Sequence, residues 1–344
     1  MMGLKIWLRR GTALALDLWR GLMAQLFYRL AAGDHGCEVI ERRAGAVALG
    51  RRCCVFVHFD AGGVVRPHTR DYLQALRQAG FGIIFVTNAG RLEPDSAQWL
   101  ADHCAQILIR RNRGYDFGAY RDGIAAFFQE RVTAEMLLLA NDSLYGPLAP
   151  LGEIVGRMDF TAADIWALTD SWQHRYHLQS FFVAFGPTAL ANAGFAAFWQ
   201  QVRNVRSKWA AVHFYELWMT HHMQSEGLRS AAVWDYFALL DIMQEIHDTP
   251  EPEGIIPIEQ KVQRLAAERV LWCWRRRIAL NPTSDLWLVL LQHGFPFMKR
   301  ELLRFNPGRA PDLHIWHRMV RERAPQMYRF IIDDLKLNMR KQAP

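Results

Sequence analysis

The sequence predicts an α/β protein built on a mostly parallel sheet with helices on both faces. Three observations lead there: continuous apolar runs of strand length, helical stretches between them, and short connections, repeated from Arg51 to Asn141. CCVFVHF (53–59) is apolar at nearly every position, as a strand covered on both faces must be. The Gly62-Gly63 turn leads to the helical TRDYLQALRQAG, which Gly80 stops. FGIIFVTN (81–88) is the next strand, and Pro94 opens a helix through DSAQWLADHCA. QILIRR (106–111) is the third strand, GIAAFFQE belongs to the next helix, and EMLLLAN (135–141) is the fourth strand. After Pro150 the pattern mixes strands (DIWALTD, SFFVAFG) with helices (FAAFWQQVR, FYELWMTHHMQ). TPEPEGIIPI (249–258), rich in Pro and Glu, marks a boundary before a tryptophan-rich helical region that ends in KLNMRKQ. The expected organisation is therefore an N-terminal amphipathic helical segment (1–45), an α/β domain (46–250) and a helical C-terminal region (251–344), without internal repeats.

With 344 residues, 51% of them apolar, the chain can bury a substantial core. A net charge of +7 favours anionic partners. No nucleic-acid-binding module or clustered basic stripe appears, so nucleic acid is not the expected partner. Five cysteines, an odd number without CxxC spacing, suggest neither a disulfide framework nor a zinc site and fit a reducing cytoplasm. In the first thirty residues Asp17, Arg20 and Arg29 interrupt the apolar run, which argues against a membrane span. The stretch reads as a basic amphipathic helix. It suits peripheral attachment to the inner face of the cytoplasmic membrane, and equally a helix packed on the main domain.

In parallel sheets ligands bind beyond the carboxyl ends of the strands. Those ends carry His58, Asp60, Asn88, Arg110, Arg111, Asn112, Asn141 and Asp142. Any one of them also suits a turn or a helix cap. The third strand runs into NRGYDFGAYRDGI (112–124), where Gly114 turns the chain and Asp116 and Gly118 stand at the mouth of a helix. Asp142 is placed to hold a divalent cation, Mg²⁺ or Mn²⁺, or to end its strand in an Asx-turn. There is no GxGxxG after the first strand, no Walker lysine loop, no HExxH and no GxSxG.

VHFDAGGVV, VTNAGRL, RRNRGYDFGAYRDGI, LLLANDSLYGPL, WALTDSWQHRYHLQSFFVAF and NPTSDLWLVLLQHGFPFMKRELLRFNP together resemble successive motifs of the rhamnan synthesis protein F family. That family is assigned to rhamnose transfer in bacterial cell-surface polysaccharide assembly. The resemblance covers residues 50 to 310, and the first half also resembles inverting GT-A glycosyltransferases. It implies a GT-A-like, Rossmann-type sheet. The implied donor is a nucleoside-diphosphate sugar, dTDP-L-rhamnose by preference, and the implied acceptor a lipid-linked glycan of O-antigen or rhamnan type.

By the same resemblance, His58, Asp60, Asn88, Arg111, Asn112, Arg113, Gly114, Asp116 and Asn141 bind the donor and Asp142 holds the metal. Glu216, eleven residues before Gly227, is the implied catalytic base, with Asp170 in reserve. His174, His177 and Gln179 line the acceptor side. A polysaccharide-assembly protein that keeps the nucleotide-sugar fold without the chemistry is the alternative. It rests on the single carboxylate at Asp142 and the absence of an acidic neighbour to Glu216.

Overall fold

In the computed structural model the described residues are 33–250 and 258–342, so the expected N-terminal amphipathic helix lies almost entirely outside them. The first strand among the described residues is β1 (Val39–Ala44), whose VIERRA sequence carries no apolar alternation and was not expected as a strand. It runs antiparallel to β4 (Gln106–Arg110) at the sheet edge, and its exposed charges suit an edge that must not recruit another strand.

The four expected strands form. β2 (Arg52–His58), β3 (Phe81–Thr87), β4 and β5 (Met136–Asn141) are parallel to one another and are connected through helices α1 (Pro67–Gln78), α2 (Pro94–His103) and α3 (Tyr115–Gln129). A two-residue strand, β6 (Leu144–Tyr145), follows β5. Beyond it come β7 (Ile165–Ser171), β8 (His177–Leu178), β9 (Phe182–Phe185) and β10 (Ser230–Trp234). The sheet order is β1-β4-β3-β2-β5-β9-β7-β10, with β8 paired to β7. β9 enters antiparallel between β5 and β7, and β10 is parallel to β7. The parallel half is therefore the part that the apolar runs predicted, and the mixed half is the stretch after Pro150.

Side chains alternate faces along a strand, so each apolar strand feeds two cores. Cys53, Val55 and Val57 of β2 join Phe117, Tyr120, Ile124 and Phe127 of α3 on one face. Cys54 and Phe56 join Tyr72, Leu73 and Leu76 of α1 on the other. α3 approaches the sheet closely at Gly123, where an added Cβ would stand 2.3 Å from Val55 Cγ1 and 3.0 Å from Val86 Cγ2.

The C-terminal region returns to this second face. Val289, Leu290, Phe295 and Phe297 share one core with Phe56, Phe85, Phe182 and α1. A last short strand, β11 (Met298–Lys299), pairs antiparallel with β6, Met298 opposite Tyr145 and Lys299 opposite Leu144. Ser143 O accepts the Arg300 backbone N–H at 2.9 Å. Sequence separation is thereby cancelled: residues 298–304 arrive beside Asn141 and Asp142.

Candidate active site

Past the end of β5 the sheet opens into a cleft of about 590 Å³. Phe59 and Tyr115 line it from the loops after β2 and β4, and Asn141, Asp142 and Ser143 from the end of β5. The loop after β7 and strand β8 contribute Gln173, His174, His177, Gln179 and Ser180. Asn281, Lys299, Arg300 and Arg304 come from the C-terminal region.

The acids of the cleft are Asp116, Asp142, Glu216 and Glu301. Asp116 Oδ2 accepts a hydrogen bond of 3.1 Å from Asn141 Nδ2, while Asn141 Oδ1 accepts the backbone N–H and hydroxyl of Ser143. Burial, with the charges of Asp142 and Glu216 behind it, pushes the Asp116 carboxyl up to about 7. Glu216 ends a π-helical turn, Val212–Glu216, set between the helical turns Lys208–Ala211 and Leu217–Ser225. Such a widened turn re-aims side chains and is frequent at functional sites. Here it buries Tyr215 against Phe117 and leaves Glu216 on the cleft wall, where Oε1 accepts the backbone N–H (3.1 Å) and hydroxyl (2.9 Å) of Ser180.

The cations face the same space. Arg300 Nη1 donates to the Asp142 carbonyl at 2.8 Å and to its Oδ2 at 3.2 Å. Asp334 lies 3.6 Å from Arg300 and 2.7 Å from Arg304, and Tyr145 OH donates to it at 2.6 Å. Arg300 Nε and Arg304 Nε are both buried without a hydrogen-bond partner. Burial lowers the Lys299 ammonium, against the opposing pull of Glu216 and Glu301. Lys208 reaches the cleft rim and pairs with Glu301 at 3.3 Å.

Residues 83–252 match the family model of rhamnan synthesis protein F. Protein y4gN of Sinorhizobium fredii is 29% identical over 222 residues, which are 63% of this chain and 56% of y4gN; this chain thus spans little more than half of that relative's length. Virulence protein VirA of Vibrio anguillarum is 29% identical over 253 residues, 72% of this chain and 77% of VirA. Among solved structures, mannosyltransferase PcManGT of Pyrobaculum calidifontis, in complex with GDP-Man and Mn²⁺, covers 93% of this chain and 95% of its own. The sequence identity there is 11% and the TM-score 0.34, a likeness that fixes no residue correspondence.

The rhamnan synthesis protein F match contains Asp116, Asn141, Asp142, His174, His177, Gln179 and Glu216, all of which the fold brings to the cleft. His177 is buried, its Nδ1 set 2.9 Å from the Arg175 carbonyl, and burial lowers its pKa. Gln179 accepts from Thr169 and donates to Asn281 at 3.2 Å.

Other expected site residues have structural partners away from the cleft wall. His58 is buried against Thr87 at 3.1 Å, and Asp60 pairs with Arg66 at 3.0 Å and accepts the Gly62 and Val64 N–H groups. Asn88 accepts from the buried Arg110 and donates to Tyr115 O, while Arg110 also grips Asp122 at 2.8 Å. Together they hold the loop that presents Tyr115 and Asp116. Arg111 is exposed near Glu38; Arg113 pairs with Glu38 at 2.7 Å and Asp34 at 2.9 Å. Asn112, Arg113 and Gly114 line a separate cavity of about 260 Å³ that shares Tyr115 with the cleft. Gly114 has φ +80°, and a Cβ there would stand 2.7 Å from Asn204 Oδ1. Asp170 is buried behind the cleft, accepting the Tyr236 backbone N–H at 2.8 Å, and burial pushes its carboxyl up to about 7.

Reasoning from sequence missed Tyr115, Lys208, Asn281, Lys299, Arg300 and Arg304. All but Tyr115 and Lys208 lie beyond the family match; Asn281, Lys299, Arg300 and Arg304 fall within NPTSDLWLVLLQHGFPFMKRELLRFNP, a motif to which no site role was assigned. Asp142 Oδ2 is held by Arg300 and the Phe59 N–H, and among the described residues no three His, Cys, Asp or Glu side chains gather as metal ligands do. This donor set does not by itself hold a divalent ion; phosphate oxygens and water would have to supply most of the shell.

Proposed function

We propose that the protein is a glycosyltransferase that takes a sugar from a nucleoside-diphosphate donor and passes it to a bacterial cell-surface glycan with inversion at the anomeric carbon. The observation that carries this reading is a single cleft, at the carboxyl end of β5, holding the acids Asp116 and Glu216 together with Lys299, Arg300 and Arg304. As the glycosidic bond breaks, negative charge grows on the departing diphosphate, and cations already fixed beside it stabilise that charge. Arg300 and Arg304, held by Asp142 and Asp334, line the cleft where that charge would develop. The acceptor oxygen attacks the anomeric carbon while its proton passes to Glu216, which Ser180 orients; a positioned base of this kind contributes typically about 10²–10⁴-fold. One in-line displacement inverts the centre. Asp116, protonated about half the time near pH 7, would donate to or accept from a sugar hydroxyl.

The rhamnan synthesis family name supports rhamnose from dTDP-L-rhamnose as the sugar and a lipid-linked glycan of O-antigen or rhamnan type as the acceptor, with Asp170, His174, His177 and Gln179 on or behind the acceptor side. The clasp of Asp142 by Arg300 favours a second reading, an assembly protein without chemistry. A thermal-shift series separates the two. UDP, dTDP or GDP should raise the melting temperature by several degrees in EDTA, and Mn²⁺ should add little. Arg300→Ala should lose most of that rise, whereas Glu216→Gln should keep it and lose transfer. No rise with any of the three nucleotides overturns the enzyme reading; normal glycan output from cells carrying Glu216→Gln supports the second.

A further inference from the structure

Next to the cleft mouth lies a surface that nucleotide-sugar chemistry does not use. Trp172, in the loop after β7, is 42% exposed, as is Trp274; Phe237 is 41%, Trp272 51% and Ile278 46% exposed. The helix Ile258–Arg275 ends in WCWR and runs into Arg276, Arg277 and Ile278, so the exposed Arg275, Arg276 and Arg277 lie next in the chain to Trp272, Trp274 and Ile278. Three of these rings form one continuous cluster: Trp172 contacts Phe237 at 5.4 Å between centroids, and Phe237 contacts Trp274 at 5.8 Å. Farther along the same loop, Arg175 lies 3.9 Å over the ring of Trp218, itself 47% exposed. Asp235, next to this patch in the chain, spends its Oδ1 on capping the helix Tyr236–Asp248.

We propose that this face lies on an anionic phospholipid bilayer and holds the cleft mouth at the headgroup level. A groove for a soluble glycan would need flat ring faces open for stacking. Here the rings meet at 60° and 78°, and the faces of Trp272 and Trp218 are covered by Arg276 at 4.0 Å and Arg175 at 3.9 Å. Partly exposed rings and guanidinium groups thus stand together on this side of the molecule. Tryptophan and arginine in that combination suit the interface of an anionic membrane, where amphipathic rings sit among headgroups and each cation gains from the surface potential. Gln173 and His174, which follow Trp172, and Asn281, three residues past Ile278, line the cleft. A glycan anchored in the bilayer would thus meet the cleft at its own level. The inference does not require that the cleft transfer sugar, and it uses no residue of the N-terminal amphipathic stretch.

The full-length protein with sedimenting vesicles tests it, comparing phosphatidylcholine alone with phosphatidylcholine containing phosphatidylglycerol. Each arginine near such a surface is worth about fivefold in partitioning, so Arg275→Gln, Arg276→Gln and Arg277→Gln combined should lower binding to the anionic vesicles on the order of 100-fold. Trp272→Ala with Trp274→Ala should lower it about tenfold or more. Both variants should keep the native nucleotide response, so a lost cleft and a lost membrane face read differently; the tryptophan pair should melt lower, because Trp274 packs on Tyr236 and Phe237. Unchanged vesicle binding in both variants overturns the proposal, as does a native protein that binds soluble polysaccharide through these tryptophans and leaves vesicles untouched.

Discussion

Asp170 shows how much one buried carboxyl can carry. It is 1% exposed and its value of about 7 lies well above the ~3.9 of an unfolded chain, because burial disfavours the charge and Asp235 adds to the effect. The fold therefore favours the protonated form. That contribution is complete below about pH 4, erodes as pH rises through 7, and is absent above. Asp170→Asn cannot ionise, so it should melt several degrees above the native protein at pH 8 and level with it at pH 4. Melts at several pH values check this, and a difference that stays constant with pH would show that the carboxyl is ionised throughout. Asp116, Glu216 and His177 were named from the sequence because each stands near a recognisable landmark: the turn at Gly114, the spacing to Gly227, or the motif WALTDSWQHRYHLQSFFVAF. Arg300 also stands in a motif, FPFMKRELLRFNP, but nothing in that motif points it toward Asp142. It reaches the cleft through a pairing 158 residues long, which no local pattern encodes.

Elements were read best where burial dictates composition. The strands β2 to β5 are almost wholly buried, so their apolar runs announce them. β1 is exposed along nearly its whole length, and its Glu41, Arg42 and Arg43 give the pattern of a loop. α3 was expected, but its closeness to the sheet was not. Gly123→Ala should cost about 1–3 kcal/mol by overpacking against Val55. Val55→Ala in the same chain should recover part of that loss, a coupling that chemical denaturation of the two single variants and the double variant would measure. Additive effects would mean that α3 shifts instead of pressing on Val55. The π-helical turn was likewise invisible, since an extra residue within a helix leaves the apolar period nearly intact.

At the scale of the whole molecule, the C-terminal region and the α/β sheet share one core, and Phe297 is where they lock. It is 1% exposed and contacts Tyr72 at 4.8 Å and Phe182 at 6.1 Å between ring centroids. Phe297→Ala should cost about 3–5 kcal/mol in chemical denaturation. Since Lys299 and Arg300 follow two and three residues later, the nucleotide-induced rise in melting temperature should fall as well. Lost stability with a native nucleotide response would mean that the cations are held by β11 and Asp334 alone.

The pairing of β11 with β6 also sets an order in time. A ribosome releases β1 to β10 before it has made Arg300, and Asp334, which Arg300 and Arg304 share, follows still later. A growing chain thus owns Asp116, Asp142 and Glu216 well before it owns Lys299, Arg300 and Arg304. If the cleft binds a nucleotide diphosphate as proposed, that affinity is completed only after the sheet strands have left the ribosome.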